Sequence, residues 1–290
     1  MKKHRSNIIL ICIFLVGLSV MLYPSISNYV NSKNASKAIT SYHNTLDNTS
    51  QEEFDRIFAE ADDYNDRLAT TKSSFFKPSL VKGYEEALDI TGTGIMGYIK
   101  IDKIDVELPI YHSVDEGVLQ IGVGHLEGSA LPTGGKGNHC VLSGHRGLPS
   151  AKLFTDLDEL EPGDTFTITV LNRLLTYEVD QVKIVSPTDT DDLQRDALED
   201  YCTLVTCTPY GINTHRMLVR GRRIENADAV PMIYVATEAF RIDKLIVASI
   251  IAIPMLLILL IILIVQDIRA KIRRRKARQQ KADANPKEGV

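Results

Sequence analysis

The sequence predicts a β-rich domain, a barrel or sandwich with inserted helices, held between two apolar segments. Three observations predict it. From Met96 onward, short runs of alternating or β-branched residues recur between turn residues. The regular succession of strands and helices that a doubly wound sheet requires is not visible. The uncharged stretches lie at the two ends of the 290-residue chain, which is 44% hydrophobic and 24% charged.

The ends come first. Residues 1–7 are basic, and from residue 8 "IILICIFLVGLSVML" runs without a charge. Such a run suits either a signal-peptide core or a short uncleaved anchor. The nearest small-residue site, around Ala35 to Ala38, is far beyond it, so residues 8–23 are read as an anchor. Residues 245–266, "LIVASIIAIPMLLILLIILIVQ", are uncharged and long enough to cross the roughly 30 Å hydrocarbon core of a bilayer. Pro254 within them is compatible with a membrane helix.

Arg269, Lys271, Arg273, Arg274, Arg275, Lys276 and Arg278 follow in a basic tail, residues 267–290. With basic residues beside both spans, the positive-inside rule predicts a two-pass protein of the cell membrane with both termini cytoplasmic. The portion from about residue 28 to 240 is then extracellular. No aromatic residues interleave the tail, so a nucleic-acid partner is not expected and the lipid bilayer is. The formal net charge is −4, so the exterior portion is acidic and unsuited to polyanions.

Residues 31–72 read as an N-terminal helical subdomain. Phe54, Ile57, Phe58, Ala61, Tyr64 and Leu68 recur at three- and four-residue spacing, and Ser50 with Glu53 makes a capping box. Residues 73–95, with Pro78, Gly83, Gly92 and Gly94, read as a linker. Residues 96–226 hold the strands: "GYIKI", "VELPI", "HCVLSGH", "TFTITVL", "LTYEVDQVKIV", "CTLVTC" and "RMLVRG". Helical pieces are expected around "HSVDEGVLQIG", "SAKLFTDLDEL" and "DDLQRDALED".

Several chemistries lose their usual signals: there is no G-x-S-x-G, Walker loop, H-E-x-x-H or C-x-x-C. His125, His139 and His145 have no recognisable ligand spacing, so neither a metal nor a cofactor is expected. Four cysteines remain, Cys12, Cys140, Cys202 and Cys207. In "CTLVTC" the strand alternation puts Thr203, Val205 and Cys207 on one face and Cys202, Leu204 and Thr206 on the other. The turn after Cys207 allows an antiparallel return that brings Arg216 back beside it. A thiol is mostly protonated at neutral pH, so a nucleophilic cysteine needs a cationic partner. His145, ending the apolar run "CVLSGH", is the best placed imidazole. Each of these residues alone is more often structural; together they point to a site.

"TLVTC" followed by "TPYGINTHRMLVRG", with "GVGHLEGSALPTGG" and "LSGHRGLPSAKLF" upstream, resembles the sortases, membrane-anchored cysteine transpeptidases of Gram-positive bacteria. The likeness runs from about Gly94 to Ile224, and the two-anchor layout is most like class C, the pilus-assembly branch. It implies a sortase-type eight-stranded β-barrel with Cys207 as nucleophile, His145 as acid and base, and Arg216 holding substrate and oxyanion. Thr206 would support the oxyanion through its hydroxyl or nearby backbone donors. The implied partners are surface proteins or pilins with LPXTG-like signals and an acceptor pilin lysine. Rival readings are a sortase that anchors proteins to peptidoglycan cross-bridges, a cysteine hydrolase using water, and a non-enzymatic tethered adhesin or receptor. Class C sortases usually carry an Asp-Pro-aromatic lid, and this chain has no Asp-Pro pair. Its linker has "SFFKPS" instead. Finally, Cys140 and Cys202 each lie five residues before His145 and Cys207. In the sortase barrel their strands are neighbours, so the two thiols are expected in contact, as packed free thiols before a disulfide, because Gly144 can shift the register and cross-strand disulfide geometry is demanding.

Overall fold

The computed structural model describes residues 2–226 and 244–283. The stretch 227–243, Met1 and the last seven residues of the basic tail lie outside the described residues. The chain divides into two compact units, Met1–Thr237 and Glu238–Val290.

The first unit opens with α1 (Lys2–Leu46) and α2 (Gln51–Thr70). The sequence separates the anchor from the helical subdomain, whereas α1 runs unbroken from one into the other with Pro24 inside it. No glycine or second proline follows Pro24 to stop the helix. Among the described residues, α1 carries the one helix long and apolar enough to cross a membrane.

The break between the helices is "DNTS", and Ser50 caps α2 by accepting from the Glu53 backbone N–H at 3.2 Å. The other half of the capping box is not formed: the Glu53 carboxylate takes two bonds from Arg56 instead. The stripe Phe54, Ile57, Phe58, Ala61, Tyr64 and Leu68 is buried as its spacing predicts. Asn65 on the same helix is buried too. It receives the Leu131 N–H at 2.8 Å and donates to Thr133 Oγ1, which seats α2 on the loop after β3.

Eight strands follow: β1 (Ile95–Ile101), β2 (Val106–Tyr111), β3 (Val123–His125), β4 (His139–Ser143), β5 (Thr165–Val170), β6 (Arg173–Val185), β7 (Tyr201–Thr208) and β8 (His215–Ile224). They close into a barrel in the order β1-β2-β3-β4-β7-β8-β6-β5. Two pairings are parallel, β2 with β3 and β4 with β7, and the rest antiparallel. The β5–β6 hairpin supplies the crossover that a parallel β4–β7 pair needs. The eight-stranded barrel implied by the resemblance is present; seven of its strands coincide with the runs read from the residues, and β3 is the one without such a run. It is three residues long, and at Gly124 an added Cβ would lie 2.3 Å from the Ser113 carbonyl oxygen. A strand this short has no room for an alternating pattern. α3 (Glu116–Leu119) and 3-10 turns at Leu157–Glu159 and Asp191–Leu193 fall within the three stretches expected, and further 3-10 turns stand at Pro78–Leu80 and Asp102–Ile104.

Alternation sorts the strand residues into two apolar groups. Cys140, Leu142, Cys202, Leu204, Met217 and Val219 point into the barrel. Val141 and Leu218 lie on the outer face, where Leu193, Phe75, Leu126, Val185 and Val205 pack with them. Cys140 and Cys202 are partners in register, both are free, and burial pushes the Cys202 thiol well up.

The second unit holds α4 (Lys244–Asp283), which contains residues 245–266 and the start of the basic tail.

Tyr42 fastens α1 to the barrel. Its buried hydroxyl donates to the Met96 carbonyl at 3.0 Å and accepts the Leu171 N–H at 2.8 Å. Tyr42→Phe leaves a buried N–H without its partner, and the expected loss is about 1–3 kcal/mol. Thermal and denaturant unfolding of the full chain in detergent measures it.

Candidate active site

Cys207 stands next to the last residue of β7, and in the β7–β8 register its partner is Arg216. Directly opposed residues of an antiparallel pair present their side chains on the same face. The sulfur and the guanidinium stem therefore share the outer face, one at the end of each strand. The loop between them, residues 209–214, contains Gly211 at φ +74° and Asn213 at φ +61°, conformations that favour those residue types. Arg216 is partly buried, and its Nη1 donates to the carbonyls of Asn213 at 3.3 Å and His215 at 3.1 Å. The planar fork carries five N–H donors, so the contacts made by Nη1 do not exhaust it.

His145 reaches the same end by a different route. Along the parallel β4–β7 pair, Cys140 aligns with Cys202, Leu142 with Leu204 and Ser143 with Val205. The pairing continues beyond β4, because the Gly144 N–H donates to the Val205 carbonyl at 3.0 Å. One residue further on, the same count brings His145 level with Cys207. Gly144 is needed here for close approach: a Cβ at that position would lie 2.6 Å from the Phe154 ring. Phe154 in turn donates its N–H to the His145 carbonyl at 3.1 Å, so the imidazole-bearing backbone is held on both sides.

The residues just past each strand end are tied together. Arg146, only 10% exposed, pairs through Nη2 with Asp158 and reaches Thr208 Oγ1 through Nη1 at 3.5 Å. Neither Arg146 nor Asp158 was singled out from the sequence. They lie 12 residues apart in a turn-rich loop, with no periodicity to link them.

Thr206 is placed differently from its expected role. Its hydroxyl is buried and donates to the Gly144 carbonyl at 2.8 Å, on the inner face with Cys202 and Leu204. Alternation along β7 turns it away from Cys207, so the hydroxyl is committed to backbone rather than aimed at the outer face. Its position instead ties β7 to the segment that carries His145.

Glu116, on α3, is the other neighbour the sequence did not reveal. Its Oε2 lies 3.6 Å from His145 Nε2. The imidazole and the Gln120 side chain together hold the Glu116 carboxyl below the usual carboxylate range, Gln120 contributing most.

His125 and His139 are structural. His125 lies inside, with Nε2 2.9 Å from the Ala130 carbonyl and Nδ1 3.1 Å from the Tyr84 hydroxyl. His139 sits between the Gln194 carbonyl and Thr203 Oγ1, and burial lowers its affinity for a proton. Among the described residues, no three His, Cys, Asp or Glu side chains gather as a metal would need.

The outer face below Cys207 is apolar and partly covered. Phe75 from the linker packs on the group formed by Val141, Val205 and Leu218, while Phe76 is 67% exposed. The linker backbone runs against Gly128, at φ +96°, where a Cβ would lie 2.7 Å from the Phe75 carbonyl oxygen. A separate depression of about 570 Å³, lined in part by Arg173, Asp200 and Arg223, sits at the other end of the strands and shares no residue with this site.

Residues 99–224 match the family model for the sortase domain. Sortase D of Bacillus subtilis (strain 168) is 34% identical over 131 residues, 44% of this chain and 63% of that protein. Sortase SrtE1 of Streptomyces coelicolor is 29% identical over 140 residues, 44% of this chain and 40% of that protein. The chain thus spans less than two thirds of the length of these curated relatives. Among solved structures, sortase C1 from Streptococcus agalactiae is 47% identical with a TM-score of 0.60, covering 66% of this chain and 99% of that one. Sortase C from Clostridium perfringens SM101 is 37% identical with a TM-score of 0.56, again over 66% of this chain and 99% of that one. With a closed eight-stranded barrel, a strand-end cysteine facing an arginine, and these likenesses over the same residues, the chain belongs to the sortase family of cysteine transpeptidases.

Proposed function

We propose that this chain is a membrane-anchored, class C-like sortase that joins proteins bearing an LPXTG-like sorting signal to a pilin lysine, polymerising pili on the outer face of the cell membrane. The observation that carries the reading is the convergence of two registers on one strand end. Cys207 opposes Arg216 across β7–β8, and the β4–β7 count brings His145 level with Cys207. The likeness to sortase C structures supports the class.

In this reading the Cys207 thiolate attacks the carbonyl carbon of the signal's threonine. The carbonyl oxygen takes up negative charge, and Arg216, with backbone N–H groups nearby, offers donors to it; such preorganised donors are worth most where charge develops. As the C–N bond to the following residue breaks, His145 gives its proton to the departing amine. A thioester between Cys207 and the threonine remains. The incoming lysine amine then loses a proton to His145 and attacks the thioester, releasing the thiolate and leaving an isopeptide bond. Thr206 acts through position: by holding the Gly144 carbonyl it fixes the distance between the strands that carry nucleophile and acid.

The apolar outer face at Val141, Val205 and Leu218 runs down from Cys207 and suits the leucine and proline of such a signal. Phe75 and the linker lie over part of it, so substrate entry requires that strap to shift. The apolar run in α1 anchors the exterior unit, and residues 245–266 in α4 form the second span, with the basic tail at the cytoplasmic headgroups.

Three expectations test the reading. Incubating the full chain in detergent with a panel of LPXTG-like peptides traps a peptide adduct on Cys207 by mass spectrometry, and Cys207→Ala gives none. His145→Ala and Arg216→Ala each lower turnover by about a hundredfold or more. If free acid accumulates despite ample lysine acceptor, the chain is a hydrolase instead. Thr206→Val, which removes the bond to Gly144 but keeps the volume, costs about 1–3 kcal/mol of stability and lowers turnover while Cys207 still reacts with iodoacetamide.

A further inference from the structure

His145 Nε2 is enclosed by protein and makes no hydrogen bond. The Glu116 carboxylate faces it, with Oε2 at 3.6 Å, beyond hydrogen-bond length but well within Coulomb range. The carboxylate, 74% exposed, has a second tie. Its other oxygen, Oε1, accepts from Gln120 Nε2 at 2.6 Å one helical turn on, which aims Oε2 at the ring. α3 is itself fixed by bonds from the Val118 and Leu119 N–H groups to the Asp115 carbonyl, and its neighbour Ser113 N–H donates to the buried Tyr84 hydroxyl.

An imidazole has two nitrogens, and the partner of one decides which carries the proton and which is left for chemistry. A base held by a third group is the usual companion of an activated nucleophile. We propose that Glu116 is a positioning residue for His145: its carboxylate keeps a proton on Nε2 and turns Nδ1 toward the reacting atoms. The inference rests on the transpeptidase reading of the site. It adds a third member to the Cys207 and His145 pair, drawn from a segment 29 residues before the histidine in the chain.

The charged groups on the neighbouring segments are engaged with other partners, and Glu116 is the one that contacts the imidazole. On the same segment Asp115 is bonded to the Ser113 hydroxyl. After β3, Glu127 faces Glu85, His125 and Asp115, and burial raises its affinity for a proton. Arg146 is paired with Asp158. From β7 and β8 come Cys207 and Arg216, with His215 beside the Thr214 hydroxyl at 3.0 Å.

Glu116→Gln keeps the shape and the Gln120 contact but removes the carboxylate that fixes the ring. It should lower kcat severalfold with KM little changed, and Glu116→Asp should restore part of the loss.

A structural role alone predicts neither behaviour. The measurement uses the full chain in detergent, an LPXTG peptide and a lysine acceptor, together with ¹⁵N shifts of the His145 ring. Wild type should hold its neutral-ring proton on Nε2, and Glu116→Gln should show both tautomers. Wild type that turns over, with Glu116→Gln matching it in kcat and in ring shifts, overturns the role of Glu116. Wild type that forms no Cys207 adduct instead removes the transpeptidase reading on which that role rests.

Discussion

The parallel pairing of β4 with β7 is the constraint on which the rest of the site depends. It aligns Cys140 with Cys202 inside the barrel and, counted onward, Gly144 with Thr206 and His145 with Cys207. A slip of one residue would exchange the two faces of β7, burying Cys207 and exposing Thr206. The register is held from both sides. Inside, the Cys140 and Cys202 thiols and the Leu142 and Leu204 side chains sit in the core; outside, Val141 and Val205 close a second apolar group. The chemistry at the strand ends therefore inherits its precision from apolar residues that take no part in it.

The same logic explains the polar contacts at the rim. The Thr206 hydroxyl and the Val205 carbonyl both bind Gly144 backbone, and Arg146 links the loop after β4 to Thr208. Each is a short-range tie between the histidine-bearing and cysteine-bearing segments. None would hold the strands in place without the core beneath it, since single hydrogen bonds contribute about 1 kcal/mol net. Together they limit how far the His145 and Cys207 side chains can drift.

Much of this was legible in the sequence, and the parts that were not have physical reasons. The buried stripe of α2 shows as a 3.6-residue period, because one helix face meets one surface. Cys207 and Arg216 show because a hairpin obliges opposed residues to meet. The inward turn of Thr206 follows from the alternation in "CTLVTC", which puts it on the face opposite Cys207. β3 escaped because three residues with a glycine at the centre carry no pattern. Glu116 escaped because its contact with His145 arises only when the barrel closes β3 against β4, a tertiary event that no local spacing records. The unbroken α1 escaped because a single proline does not always end a helix.

The central claim is that His145 and Cys207 stand side by side at one end of the β4–β7 pair. The most direct measurement introduces His145→Cys into the full chain and treats it with a short bis-methanethiosulfonate reagent, mapping the products by mass spectrometry. Neighbouring strands run about 5 Å apart, so a link within one chain between positions 145 and 207 is predicted. Cys207 that reacts only singly, or joins residue 145 of another molecule, while the protein remains folded would contradict the account.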